Sequence, residues 1–205
     1  MRQAWIIGGS VVLLSAAAVV GGWCAQAPAD PTASSTMTSP VLTADATTPA
    51  AAAYARGVTA YDAKRLDEAA QAWRQAIQLD PNFADAHVGL GVILLQRGDA
   101  TGAEAEFQMA VGKNPNQVNA LANLGALAVR RGQYVVAVSY YRRAIGGDPA
   151  DASLWVDMAT SYTGANDLPS ARAAVLNALA FDPDSREAQE LLARLERQMA
   201  SAPPP

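Results

Sequence analysis

One cysteine and one histidine, Cys24 and His87, are all that the 205-residue sequence contains of either type. A lone cysteine excludes an intrachain disulfide, and the pair cannot supply the four ligands of a structural zinc site. Any nucleophile–histidine device would have to run through His87. Aromatic residues make up only 6% of the chain although apolar residues make up 51%. The apolar content therefore falls on Ala, Leu and Val, which suit helices packed at close range better than a β-sandwich. No run of Lys or Arg occurs and the net charge is −4. A nucleic-acid partner, which needs a basic stripe to displace counterions, is excluded on that ground. These shortages point away from catalysis, metal and cofactor.

Charge is also missing between Arg2 and Asp30. Within that gap Ala4 to Trp23 is an unbroken run of apolar or small side chains. Twenty helical residues reach about 30 Å, the thickness of a hydrocarbon core. Trp5 and Trp23 stand at its ends, where indole rings favour the headgroup boundary. Arg2 on the short side then orients the bulk of the chain across a bacterial inner membrane, on its outer, periplasmic face. The expectation is a single-pass anchor over 1–24. Two alternatives are a signal peptide cleaved at Ala25-Gln26-Ala27 and lipidation at Cys24, and all three export the remainder. Residues 25–48 are rich in Ala, Pro, Ser and Thr and show no helical or strand period, which predicts a flexible linker.

From residue 49 onward the sequence repeats. Asp80-Pro81, Asn114-Pro115, Asp148-Pro149 and Asp182-Pro183 follow one another at a spacing of 34. With each proline at position 32, units run 50–83, 84–117, 118–151 and 152–185. Position 8 is Gly57, Gly91, Gly125 and Ala159. Position 20 is Ala69, Ala103, Ala137 and Ala171. Position 24 is Trp73, Phe107, Tyr141 and Val175, and position 27 is Ala76, Ala110, Ala144 and Ala178. Small side chains at 8 and 20 let paired helices approach, and the large one at 24 is expected to fill the space between hairpins. Proline at 32 is expected to end one unit and begin the next helix. Thr48 and Pro49 suit the N-cap and first position of the first helix. An amphipathic segment, 185–199, follows the last unit as a capping helix, and 201–205 reads as a disordered tail.

This pattern resembles the tetratricopeptide repeat family. The resemblance implies an all-α fold, a right-handed α-solenoid of four helix hairpins plus the C-terminal capping helix over 49–200. It also implies that positions 2, 5, 9, 12 and 13 of each first helix face a concave groove. Those positions hold Tyr54, Val58 and Tyr61 in the first unit, and Asp85, Val88, Val92 and Leu95 in the second. They hold Asn119, Ala122, Ala126, Val129 and Arg130 in the third, and Val156 and Thr160 in the fourth. The groove is thus mostly apolar over three units, with Asp85, Asn119 and Arg130 at its rim, and turns polar in the fourth. Lys, Asn and Arg are absent at positions 5 and 9, which excludes the carboxylate-gripping mode of chaperone-binding members. The expected partner is an extended apolar peptide or an amphipathic helix. Self-assembly into a homo-oligomer is the alternative. His87, at position 4 and so equivalent to Trp155 of the fourth unit, a hairpin-packing site, reads as a core residue, and the Asp-Pro pairs read as solvated turns.

Overall fold

A computed structural model describes residues 48–201. The expected anchor, nearly all of the expected linker and the last four residues lie outside the described residues. Those described are helical throughout, in the order α1 (Pro49–Asp62), α2 (Leu66–Leu79), α3 (Ala84–Gln96), α4 (Ala100–Lys113), α5 (Val118–Arg130), α6 (Tyr134–Gly147), α7 (Ala152–Gly164), α8 (Leu168–Phe181) and α9 (Arg186–Ala200). They fall into two compact units, 48–80 and 81–201. The first is the hairpin α1–α2. The second holds the hairpins α3–α4, α5–α6 and α7–α8, with α9 packed on α8. The all-α hairpin fold expected from the repeat is therefore found.

Side-chain caps define many of the helix starts. The Thr48 hydroxyl accepts from Ala51 N at 3.1 Å, and Pro49 opens α1. Asp99, Asp151, Asp167 and Ser185 cap α4, α7, α8 and α9 in the same way. Within every hairpin the first helix ends on a residue in the left-handed region: Lys64 (φ 61°), Gly98 (84°), Gly132 (72°) and Asn166 (61°). The next amide then reaches back to a carbonyl five residues earlier, as from Asp99 N to Leu94 O at 2.9 Å. That bond closes a Schellman turn.

The repeated prolines do not begin helices, contrary to the sequence expectation. Each lies in the turn three residues ahead of the next helix. The residue before it is held extended, as at Asp148 (φ −140°, ψ 87°), because proline's Cδ disfavours helical geometry there. Asn114, Asp148 and Asp182 each accept, through the side chain, from the amide two residues on. An acid or amide precedes proline at these three junctions because that side chain closes the turn.

The core is built from small residues in phase. Ala69, Ala103, Ala137 and Ala171 are fully buried, as are Ala76, Ala110, Ala144 and Ala178. The residue at position 24 packs against position 8 of its own hairpin. A Cβ added at Gly57 would overlap the Trp73 indole, and one at Gly91 or Gly125 would overlap the ring of Phe107 or Tyr141. Glycine at position 8 is thus room for an aromatic ring. Ala159 and Val175 share the same space in the fourth hairpin, where both are fully buried.

Candidate partner-binding groove

In the hairpin α1–α2 the rings dictate what the first helix can offer. Trp73, laid on Gly57, donates from Nε1 to Tyr54 O at 3.2 Å. Its ring lies 6.3 Å from that of Tyr54 and 5.8 Å from that of Tyr61. Both tyrosines are consequently packed, with 7% and 8% exposure. They belong to the core of their hairpin rather than to an open groove lining. Of the three residues expected from this hairpin, Val58 alone is half-exposed.

Along α3, α5 and α7 the expected positions separate into a floor and a wall. Val88 and Val156, at 2% exposure, and Ala122 are buried and present no surface to a partner. Val92 is buried at the margin, while Leu95, Ala126, Val129 and Thr160 are half-exposed. One polar rim side chain, that of Asp85, is already engaged, and the Asn119 backbone is tied to its own helix. Gln117 donates from Nε2 to Asp85 Oδ1 at 2.6 Å, and Asn119 accepts at its carbonyl from the Asn123 side chain at 2.8 Å. Leu95, Gln96 and the exposed Arg130 meet around a small hollow of about 50 Å³ at the α3–α4 turn.

The sequence reading missed α9 as part of this face. Thr160 does not end the groove. It shares a hollow of about 500 Å³ with Glu187, Glu190, Arg194 and Arg197 of α9. Arg186 stands 34 residues after Ala152, so it opens a fifth unit. In that frame the four charged residues occupy positions 2, 5, 9 and 12, the same ones that carry the wall in α3, α5 and α7. The signal was present in the numbering, but no closing hairpin or proline marked it.

The remaining ionisable groups hold the scaffold together. His87, 6% exposed, meets Glu106 through Nδ1 at 2.8 Å, joining α3 to α4. That pairing is 19 residues apart, the same register that joins Trp73 to Tyr54 and Arg56 to Gln75. Arg131 meets Glu104 at 2.6 Å, and its hydrogen bond holds the Glu104 carboxyl below the usual range. Asp157 differs from these. Burial, with Glu187 and Asp151 nearby, pushes its carboxyl up to about 8. No group of three His, Cys, Asp or Glu side chains placed to hold a metal ion occurs among the described residues. None of the described helices is long and apolar enough to cross a membrane, and Ala4–Trp23 lies outside them.

Comparisons with known proteins agree with this geometry. No curated protein matches the sequence significantly. Two crystal structures of MamA are similar in fold. One superposes with a TM-score of 0.64 at 16% identity, over 74% of this chain and 82% of its own. The other has a TM-score of 0.63 at 17% identity, over 70% of this chain and 84% of its own. At such identities the likeness speaks for the fold alone. Models of the tetratricopeptide repeat match residues 54–118 and 128–195. Together these matches span more than half of the sequence, and the chain belongs to the tetratricopeptide repeat family.

Proposed function

We propose that this chain is a protein-binding adaptor that takes an extended apolar peptide or an amphipathic helix against the first helices of its hairpins. The observation that carries the reading is the half-exposed apolar wall of Leu95, Ala126 and Val129. It rises beside a buried floor of Val88 and Ala122. Half-exposed aliphatic side chains on successive helices offer anchors at helical spacing, which is how helix-in-groove and extended-peptide recognition work. Repeat proteins generally bind through such surfaces. Several of the scaffold's ionisable groups pair with one another, and among the described residues no constellation of nucleophile, base and orienting group supports a reaction.

The adaptor reading includes a location. The apolar run Ala4–Trp23 would hold the repeats, through the linker, at the outer face of a bacterial inner membrane. Protease added to intact spheroplasts should digest the repeats if this is so, and protection would refute it. Binding is tested by Leu95→Glu combined with Val129→Glu, which places two charges on the wall without touching the floor. Partners captured by the intact chain should be lost while helicity is kept. Unchanged capture would overturn the groove.

A further inference from the structure

The groove-facing stripe of α9 carries four charges, Glu187, Glu190, Arg194 and Arg197, with Leu191 and Ala193 between them. All four are exposed. Their spacing of three, four and three residues keeps them on one face of the helix, as in the seam of a coiled coil. The order of signs has a particular property. Reversed end to end, the stripe is its own electrostatic complement. Laid antiparallel against a second stripe, Glu187 faces Arg197 and Glu190 faces Arg194, and both pairs centre on position 192. A two-fold axis there repeats each contact, giving four ion pairs along about 15 Å of helix. Ala193, beside the axis, also lines the hollow and has no long side chain to hold two helices apart.

The helix dipole favours acids first and bases last, but it does not explain the stripe. The charges of α9 off this face run the other way, with Arg186 at the start and Glu196 near the end. Those two have partners in their own chain, one of which is Glu190 of the stripe, held by an exposed i,i+4 pair that a second copy would have to exchange. Arg186 meets Glu190 at 2.7 Å, and Glu196 meets Arg172 of α8 at 3.8 Å. The order of acid then base is kept on the open face only. Burial and the neighbouring Glu190 hold the Glu187 carboxyl above the usual range.

We propose that α9 is a self-recognition surface, on which a second copy of this chain docks antiparallel through Glu187, Glu190, Arg194 and Arg197. The contact is independent of the apolar wall, so it stands or falls apart from the adaptor reading. Four exposed ion pairs make a weak, salt-sensitive association. That suits a chain concentrated on a membrane better than one dilute in solution.

The test uses the full chain in detergent, followed by sedimentation velocity at low salt. The intact chain should shift from one copy to two as concentration rises, and 0.5 M NaCl should weaken that shift about tenfold. Glu187→Arg with Glu190→Arg makes the stripe wholly basic, and Arg194→Glu with Arg197→Glu makes it wholly acidic. Each variant alone should remain single. An equimolar mixture of the two should pair, which neither misfolding nor a lost helix could produce. A single-copy wild type at high concentration and low salt would overturn the proposal. So would pairing that survives in both variants, which would place the contact elsewhere, for instance in the N-terminal apolar run.

Discussion

The first and fourth hairpins share one frame and fill it in opposite ways. In the first, Gly57 withdraws all side chain from α1 and Trp73 supplies the volume from α2. In the fourth, Ala159 and Val175 divide the same space more evenly. The difference teaches that the repeat fixes a volume shared by positions 8 and 24, and leaves open which helix contributes it. It also shows what concentrated volume does to the binding face. The single large ring draws Tyr54 and Tyr61 into the core.

Removing the large member should break the first hairpin far more than the fourth. Trp73→Ala deletes a buried indole and its bond to Tyr54 O, and should cost about 3–5 kcal/mol. Val175→Ala removes two methyl groups and should cost roughly 2 kcal/mol. Urea unfolding followed by circular dichroism measures both. Equal losses would mean that volume is not what distinguishes these hairpins.

A second contrast lies at position 6, where the first hairpin has Ala55 and the fourth has Asp157. The third hairpin places Asn123 there, buried, with its Nδ2 donating to Asn119 O. Asp157 is an acid whose folded-state value, about 8, lies above its ordinary range near 4. The folded chain therefore binds this proton more tightly than the unfolded chain. Its contribution is fully present below about pH 4 and falls away as pH rises to about 8, after which the ionised carboxylate remains as a constant cost. Asp157→Asn should remove that slope and stabilise the domain at pH 8 by roughly 2–4 kcal/mol. Melting curves between pH 5 and 9 check it. A parallel pH dependence in the variant and the wild type would show that Asp157 is not the group responsible.

Exchanging the small member sharpens the comparison further. Gly57→Ala pushes a methyl group into the indole and should cost about 1–3 kcal/mol. Ala159→Gly opens a small gap beside Val175 and loosens a helix interior, for about 1 kcal/mol. Combining Gly57→Ala with Trp73→Val rebuilds the fourth hairpin's solution inside the first. It should recover part of the stability lost in Trp73→Ala.

Much of this was legible from the sequence because a period of 34 fixes helix pairing, turn sites and small core positions together. The fully buried alanines follow from it, and the cap at Thr48 follows from residue type. What stayed hidden depends on which side chain claims a shared space. Position 5 holds Tyr54 by the groove rule, yet the ring of Trp73 decides where Tyr54 goes. The proline junction was misread as a helix start because proline tolerates both sites, and the Asx turn before it settles the choice. Glu106 could have been assigned to His87 once cross-hairpin contacts were known to fall 19 residues apart. The role of α9 on the binding face needed only the fifth step of 34, but the amphipathic pattern invited an end-cap reading first. Asp157 had no signature at all, since burial of a single carboxylate is a tertiary fact.

The smallest expected effect lies in the turns of the same two hairpins. Lys64 and Asn166 hold left-handed backbone where the middle hairpins have Gly98 and Gly132. A lysine there suffers the clash of its Cβ, and glycine removes it, for a gain of about 1 kcal/mol. Lys64 recovers some of this by resting its Nζ 5.8 Å from the centre of the Tyr61 ring, a contact of roughly 0.5 kcal/mol on an exposed surface. The net gain expected for Lys64→Gly is therefore about 0.5 kcal/mol, seen as a melting temperature raised by a degree or two. Asparagine tolerates left-handed geometry better, so Asn166→Gly should gain only a few tenths of a kcal/mol. The order of the two substitutions is the decisive readout. If Lys64→Gly destabilises the chain, the ring contact outweighs the backbone strain, and the first hairpin depends on its aromatic cluster even at its turn.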